Sequence, residues 1–357
     1  MRTRAGAASL LDELSVPVVQ APMAGGVSTP LLAGAVAAAG AVGSLGFAYS
    51  SAERIAADLE AAGSCARGGP INANFFLFQP VPEGAGAGPA AEHARAALDE
   101  LRVGSGLQAP VVQLPGPPWF PDLTEQLEPV WDLRPAILSF HFGVPSQWVI
   151  ERAHQLDIAV AVTATQVDEA KRIQDSGVDW VVAQGVEAGG HRGLFDPSGP
   201  DQRLETETLV RGLRLAGLRI PIVAAGGAMD GHDIQRLISV GATAVQMGTA
   251  FLCCPESGAS AVHKRLCADG HDRGTDFTTG FSGRPARGIR NRFMDAAADA
   301  PVLPFPLQNT MTARLRAAAV AVGDPEYQSL WAGTGYRRAR AVGAGELVRL
   351  LAAEWRS

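Results

Sequence analysis

The sequence predicts an α/β fold: a (β/α)₈ TIM barrel with a smaller second domain packed over the rim formed by the carboxyl ends of its strands. Short segments rich in Val, Ile and Ala alternate with amphipathic segments, which indicates parallel strands covered by helices on both faces. The length of 357 residues fits one large barrel or two domains. Clusters of glycine and polar residues directly follow the strands, where barrels place their active sites. A doubly wound open sheet is the competing architecture.

Nine segments have the composition of strands, one more than a barrel needs. They are Val16–Gln20, Ala41–Leu45, Ile71–Phe75, Val111–Leu114, Ala136–Phe140, Ile158–Val162, Asp179–Val182, Ile220–Ala224 and Ala244–Met247. Val111–Leu114 lies between two proline-rich loops in an excursion from Pro80 to Arg134, so we expect it to pair at an edge. The other eight are predicted to close the barrel.

The helices are predicted from their end signals. Thr29 precedes a proline, which is typical of a helix start, and the next helix covers Ser51–Ala62. Thr165 or Asp168 is expected to cap a helix that Gly177 ends. The remaining predicted helices are Ala90–Leu101, Leu204–Ala216, a helix from Asp230 to Gly241, Ala259–Ala268, Thr312–Ala321 and Glu346–Trp355.

The alternation of strands and helices stops after Glu256. Gly270–Arg292 is rich in Gly, Arg and Thr with little apolar periodicity. The predicted units are the barrel from residues 1–79 and 135–256, a second or lid domain from 80–134 and 257–330, and a C-terminal helical segment from 331–357.

The composition, with 47% hydrophobic and 18% charged residues, is that of a soluble globular protein. The net charge of −6 has no concentrated sign, which argues against nucleic acid or an anionic membrane as a partner. The four cysteines form no CxxC pair, so a reducing cytoplasm is expected, and no cluster has the spacing of metal ligands. Met1–Leu14 lacks the apolar region of a signal peptide, and the uncharged stretch Leu31–Tyr49 splits into a helix and a strand.

The segment Ala183–Gly193 is the strongest candidate for a catalytic loop. It follows a predicted strand and sets Gln184, Glu187, His191 and Arg192 among four glycines. Glycine lets a backbone approach a ligand closely, and histidine titrates near neutral pH. The alternative is a glycine-rich turn whose histidine only makes local hydrogen bonds.

Two glycine clusters follow the last two predicted strands. Ala225–Ala228 and Gln246–Thr249 are each expected to open a helix, and backbone N–H groups at neighbouring helix starts can hold an anion. Barrel enzymes bind a cofactor or substrate phosphate at this position. A phosphate there would place a planar head group near His191.

Other rim positions carry weaker signals. The segment Gln20–Gly26, with Ala, Pro and Met at its start, forms an apolar wall that suits a planar ring. Asn72 and Asn74 face one side of their strand, and an amide can bond the polar edge of a ring, although capping roles are equally compatible. His141 and Phe142 follow another strand and are candidates for lining the substrate pocket.

Four arginines lie close together in Gly283–Phe293, and one of them could close over an anion. They are Arg284, Arg287, Arg290 and Arg292. A solvated basic loop is the alternative interpretation.

These motifs together resemble the nitronate monooxygenases, formerly called 2-nitropropane dioxygenases. The resemblance rests on Q-A-P-M-A-G-G, A-Q-G-V-E-A-G-G-H-R-G, A-A-G-G-A-M-D-G, G-A-T-A-V-Q-M-G-T-A-F-L and F-S-G-R-P-A-R-G-I-R-N-R-F. It extends from about Val16 to about Trp331 and matches the branch with the G-G-H-R-G loop. It implies an FMN-bound TIM barrel that oxidises alkyl nitronates with O₂ to a carbonyl compound and nitrite, without NAD(P)H.

The resemblance also assigns residue roles. His191 matches the catalytic histidine, which would remove the proton α to the nitro group of a neutral nitroalkane. Together with the rim clusters, it gives as cofactor contacts Ala21, Pro22, Met23, Asn74, Gln184, Gly189, Gly190, Gly226, Gly227, Gln246, Met247, Gly248 and Thr249. His141, Phe142 and Arg284 are expected in the substrate pocket. The main departure is Met229, which changes none of these roles.

Three other functions remain open at this point. An FMN-dependent enoyl-thioester reductase has a related barrel with a similar G-G-H loop, but it would need NAD(P)H. The chain could also be a flavin oxidoreductase of a specialised pathway, or a flavin-binding protein without turnover. A nucleotide dehydrogenase is disfavoured because Ala183–Gly193 contains no cysteine nucleophile.

Overall fold

A computed structural model describes residues 10–114, 116–269 and 272–357. Its centre is a barrel of eight parallel strands. The barrel strands are β1 (Val18–Gln20), β2 (Gly43–Gly46), β3 (Ile71–Phe76), β4 (Ile137–His141), β5 (Ala159–Ala164), β6 (Trp180–Gln184), β8 (Ile222–Ala225) and β9 (Ala244–Met247). The predicted TIM barrel is thus confirmed and the open sheet is excluded.

The barrel closes between β1 and β2. A parallel bridge joins Val19 to Val42, and two backbone hydrogen bonds of 2.9 Å link Gln20 N to Val42 O and Val42 N to Val18 O. The side chain of Gln20 continues this seam, because its Oε1 accepts from the backbone N–H of Ser44 at 2.9 Å. A side-chain amide therefore takes the place of the next backbone bond.

Alternation along the strands separates two apolar layers. Side chains such as Ala161 and Val182 pack inside the barrel, while their neighbours Val162 and Val181 pack outward against the helices. Because both faces are buried, the strands read as continuous apolar runs in the sequence.

The predicted strand at Val111–Leu114 is wrong. This segment is irregular, and the Val111 side chain is 67% exposed. Its β-branched residues have no neighbouring strand to pair with in the described part of the chain, so local propensity does not produce a strand.

Helices surround the barrel and cover part of its rim. They are α1 (Pro30–Ala38), α2 (Ala52–Cys65), α3 (Gly88–Gly104), α4 (Leu123–Leu133), α5 (Gln147–Gln155), α6 (Val167–Asp175), α7 (Thr206–Leu215), α8 (Gly231–Ser239), α9 (Ala261–Ala268), α10 (Arg292–Ala296), α11 (Leu307–Val322) and α12 (Ala344–Arg356). None of the described helices is both long and apolar enough to cross a membrane.

The predicted cap of α1 is confirmed, that of α6 is wrong, and α11 begins at Leu307, five residues before the predicted Thr312. The hydroxyl oxygen of Thr29 accepts from Leu32 N at 3.0 Å and caps α1, as predicted. At α6 the capping position is Gln166, not Thr165 or Asp168. Thr165 instead donates its N–H and hydroxyl to the carboxylate of Glu169, at 2.7 and 2.8 Å.

Two helices outside the predicted barrel ranges also pack on it. Leu127 of α4 and Leu347 of α12 belong to the same apolar cluster as the barrel helices. α12 packs against α8 and α1, so it fills the helix position that follows β9. The division into 1–79 plus 135–256, 80–134 plus 257–330, and 331–357 stays a prediction.

A second, three-stranded sheet lies over the rim. It consists of β7 (Gly190–His191), β10 (Thr275–Thr278) and β11 (Ala286–Ile289), with antiparallel pairing. Two of its strands, β10 and β11, come from the stretch that shows little apolar periodicity in the sequence. β10 is polar and half exposed, so its sequence carries no apolar alternation.

Candidate active site

A cavity of about 540 Å³ lies at the carboxyl ends of the barrel strands. Turns after β1, β6, β8 and β9 contribute to its wall, together with residues of β7 and α11. Every predicted cofactor contact lines it, namely Ala21, Pro22, Met23, Asn74, Gln184, Gly189, Gly190, Gly226, Gly227, Gln246, Met247, Gly248 and Thr249. His191 and His141 line it as well.

Phe142 and Arg284 do not line the cavity, contrary to the expectation. The Arg284 guanidinium lies 3.8 Å from the centre of the Phe142 ring and donates to the carbonyl of Leu194. Arg284 is 2% exposed, and its Nε has no partner among the described residues. Arg284 therefore packs beneath the residues of the cavity wall, where it contacts Phe142 and Leu194.

The backbone of His191 is held from two sides. β7 pairs with β11, which places His191 opposite Ala286. The carbonyl of His191 accepts from Gln184 Nε2 at 3.0 Å and lies 3.2 Å from His141 Nε2. Gln184 also accepts from the N–H of Gly193 at 2.8 Å, so its amide fixes the loop.

One ring nitrogen of His191 has a defined partner. Nε2 lies 2.9 Å from Ser282 Oγ, and the Ser282 hydroxyl donates to the carbonyl of Arg284 at 3.1 Å. With the hydroxyl proton on that carbonyl, Ser282 Oγ accepts from a protonated Nε2, and we infer this tautomer from the hydrogen-bond network. This arrangement leaves Nδ1 of a neutral His191 unprotonated.

Two of the three histidines in the cavity wall, His191 and His141, are neutral at physiological pH. Desolvation in the wall lowers the pKa of His191 to about 3, and His141, Arg284 and Arg316 act in the same direction. Desolvation also lowers the pKa of His141 to about 4. A neutral imidazole can accept a proton, so His191 meets the first requirement of a general base.

Aromatic rings enclose the imidazole of His191. The ring centres of Phe76, Phe142, Phe305 and Trp331 lie 5.6–5.9 Å from it. Phe76 lies on β3, Phe142 in the turn after β4, Phe305 before α11 and Trp331 after it. Such a surround excludes water from one side of the imidazole and leaves the cavity side for a ligand.

The glycine clusters present unpaired backbone donors. The N–H groups of Gly226, Gly227, Ala228 and Gly248 make no hydrogen bond to the described residues. Gly226 and Gly227 have φ of +130° and +73°, values that favour glycine. These donors fit the expected anion site.

The predicted helix starts at these clusters are only partly present. α8 begins four residues after Gly227, at Gly231, and Thr249 opens a single 3₁₀ turn, Thr249–Phe251. The Thr249 hydroxyl oxygen is used within the protein, since it accepts from Gly333 N at 2.9 Å.

The remaining loop residues have structural partners. The Glu187 carboxylate accepts from the N–H and the hydroxyl of Thr206, at 3.0 and 2.9 Å. Arg192 forms a buried ion pair of 2.9 Å with Asp201. Neither side chain lines the cavity, so the Gly-rich loop places His191 alone among its titratable groups at the cavity.

The two strand asparagines differ in position. Asn74 lines the cavity and donates to Ser139 Oγ at 3.0 Å, whereas Asn72 donates to Ser44 Oγ at 3.1 Å and lies outside the wall. Only Asn74 is placed to touch a ligand.

Several lining residues escape sequence reasoning. They are Tyr49, Phe76, Asn309, Arg316 and Trp331. Asn309 and Arg316 both lie on α11, where small and polar residues recur at helical spacing along one face. That pattern could have pointed to them in the sequence. Within the described residues no cluster of His, Cys, Asp and Glu could hold a metal ion.

Comparison with known proteins agrees with this geometry. The family model described as nitronate monooxygenase matches residues 8–354. Nitronate monooxygenase from Pseudomonas aeruginosa is 42% identical over 95% of this chain and 96% of its own length. That from Paraburkholderia phytofirmans is 38% identical over 99% of this chain and 96% of its own length.

Similarity to solved structures supports the same family assignment. Nitroalkane oxidase from Streptomyces ansochromogenes superposes with a TM-score of 0.89 at 38% identity, covering 98% of each chain. FabK from Thermotoga maritima superposes with a TM-score of 0.73 at 22% identity, covering 100% of this chain and 96% of that one, which shows a shared fold. The chain therefore belongs to the nitronate monooxygenase family of oxidoreductases.

Proposed function

We propose that this protein is an FMN-dependent enzyme that oxidises alkyl nitronates with O₂ to a carbonyl compound and nitrite. It accepts neutral nitroalkanes after His191 has removed the α proton. The observation that carries the proposal is a neutral His191 with one anchored ring nitrogen, facing a cavity whose lining, among the described residues, contains no carboxylate. The relatives named nitronate monooxygenase support the same reaction.

The residues of the cavity fit FMN. The unpaired N–H groups of Gly226, Gly227 and Gly248 suit a phosphate, and the absence of Asp and Glu from the described lining suits its charge. Asn74 would meet the polar edge of the ring system, and Ala21–Met23 its apolar face. When bound, FMN supplies the electron transfer that a protein side chain cannot.

His191 would handle the proton. Its Nδ1 accepts the α proton of a nitroalkane, the electron pair of the C–H bond forms a C=N bond, and a nitro oxygen takes the negative charge. Ser282 holds Nε2 protonated throughout, so the ring keeps one orientation. The nitronate formed beside the imidazolium favours its charged state, which offsets the low pKa of the free histidine.

Replacing His191 with Asn tests the base. We expect activity on nitroethane to fall by about 100-fold or more, because general-base catalysis is lost. Activity on preformed ethylnitronate should stay within about threefold, since that substrate needs no proton removal. Oxygen consumption and nitrite release measure both.

The same experiment has a clear negative result. An equal loss on both substrates would contradict the role of His191 as base. The purified protein should be yellow with an FMN spectrum, and a colourless protein that cannot be reconstituted would overturn the cofactor assignment.

The shared fold with FabK makes a flavin-dependent enoyl-thioester reductase the second candidate. Anaerobic stopped-flow measurements separate the two. We expect fast bleaching of the flavin by a nitronate and slow or no bleaching by NADPH. The opposite pattern would replace the proposed function with the reductase.

A further inference from the structure

Arg316 is a cation in the cavity wall that none of the motifs described above includes. It lies on α11 with Asn309, Ala313, Ala317 and Val320, which line the cavity at helical spacing. The described lining contains no Asp, Glu or Lys, so Arg316 gives it its one permanent charge.

The Arg316 guanidinium is fixed along one side. Its Nη2 donates to the carbonyl oxygen and to Oδ1 of Asn309, both at 2.8 Å, and its Nε donates to Thr312 Oγ1 at 3.2 Å. Nη1 makes no hydrogen bond to any described residue. The group is thus held in one orientation with donors left over, as in a preorganised binding site.

The charge of Arg316 is also uncompensated. It makes no ion pair within the described ranges, whereas Arg192, Arg290 and Arg338 each bond a carboxylate. Placing an unpaired guanidinium in a cavity wall costs desolvation energy unless an anion joins it. This arrangement is typical of a site that receives a negatively charged ligand.

Tyr49 and His191 lie in the same chamber. The Tyr49 ring centre is 6.1 Å from that of Phe76, and Phe76 is 5.8 Å from the imidazole of His191. All three line the cavity. Tyr49 is 40% exposed, and a tyrosine phenol is protonated at neutral pH, so its hydroxyl can donate.

We propose that Arg316, assisted by the Tyr49 hydroxyl, binds the nitro oxygens of the substrate and stabilises the negative charge that they carry in the nitronate. The two N–H donors of Nη1 are free to meet a nitro oxygen, and the fixed positive charge attracts the anion. The inference rests on the proposed function, because it assigns the charge that proton removal creates. Arg316 would thus determine the specificity of the enzyme for substrates with a planar, anionic group.

The two substrate forms should depend on Arg316 differently. A preformed nitronate carries its charge in the ground state, so losing Arg316 weakens its binding and raises KM. A neutral nitroalkane acquires the charge only as His191 takes the proton, so losing Arg316 lowers kcat/KM through the transition state.

Arg316→Met tests the inference in the purified holoenzyme. We expect KM for ethylnitronate to rise about 10- to 100-fold, the range for a lost charge-assisted hydrogen bond. Nitrate is a planar anion, and its binding can be measured from the change that it causes in the flavin spectrum. This binding should weaken by a similar factor. Arg316→Lys should recover part of both, because it restores the charge without the orientation that Asn309 and Thr312 give the guanidinium.

Arg314→Met is the matched control, since Arg314 lies on the same helix, is exposed and does not line the cavity. It should change neither readout. FMN content and the circular dichroism spectrum of each variant show whether it is folded and loaded, and Arg316→Lys serves if the Met variant is not.

The outcomes separate this inference from the proposed function. Unchanged KM and nitrate affinity in Arg316→Met, with nitronate turnover intact, would overturn the role of Arg316 and leave the function standing. The wild-type protein could instead bind nitrate but fail to oxidise nitronates, while Arg316→Met loses nitrate binding. That result would support the anion site and overturn the function.

Discussion

Ser282 illustrates how one hydroxyl can decide the chemistry of a neighbouring base. Its proton goes to the Arg284 carbonyl, so toward His191 it acts as an acceptor. The two tautomers of a neutral imidazole are close in energy in water, and a single directed hydrogen bond is enough to select one. Ser282 is therefore a positioning residue that acts through His191.

Replacing Ser282 with Ala should lower kcat/KM for nitroethane about 10- to 100-fold, because the base is then free to adopt the wrong tautomer. The rate with preformed ethylnitronate should change little. Ser329→Ala is the control, since Ser329 lines the cavity without bonding His191. Similar losses on both substrates would point to a general structural defect instead.

At the scale of elements, the site depends on three chain segments in close contact with one another. A Cβ added at Gly189 would lie 2.4 Å from the carbonyl carbon of Ala332, and Gly333 N donates to Thr249 Oγ1. Thr334 N in turn donates to Glu187 O at 3.0 Å. The catalytic loop, the turn after β9 and the segment after α11 thus fix one another.

Gly189→Ala should destabilise the protein by about 1–3 kcal/mol, because the methyl group forces these backbones apart. We also expect it to release FMN more readily. Gly63→Ala is the control: it lies in α2 with no heavy atom within 4 Å of the added Cβ, and should stabilise by about 0.5–1 kcal/mol. Urea unfolding measures both, and equal stability of Gly189→Ala and wild type would contradict the packing argument.

At the scale of the whole molecule, buried histidines make stability depend on pH. Desolvation lowers the pKa of His263 to about 4, and its Nε2 has no partner among the described residues. The unfolded chain, with a histidine pKa near its ordinary 6.5, binds more protons between these values. Stability contributed by the neutral His263 is therefore present above pH 6.5 and is lost as pH falls toward 4.

His263→Phe should flatten that dependence. Between pH 6.5 and 5 the wild type should lose stability faster than the variant, with a difference in slope of at most about 1.4 kcal/mol per pH unit. Urea midpoints at several pH values measure it. Parallel curves for the two proteins would show that His263 has the same pKa in the folded and the unfolded chain, which would contradict the argument.

The sequence predicts structural features that repeat along the chain or that directly follow a strand. The barrel follows from the alternation of apolar strands and amphipathic helices, and the turns at Ala183–Gly193, Ala225–Ala228 and Gln246–Thr249 follow from where barrels place loops. Arg316 and Tyr49 escape it, because their roles arise only when distant segments converge on one cavity. The β10–β11 hairpin escapes it because its strands are polar and short.

The seam between β1 and β2 also has a dynamic consequence. There the ladder has few backbone bonds, and one position depends on the rotamer of Gln20. Side chains change rotamer far more easily than ladders separate, so the barrel should open first at this line. Amide protons of Val42 and Ser44 should exchange with deuterium faster than those of central β5, and Gln20→Ala should accelerate them further.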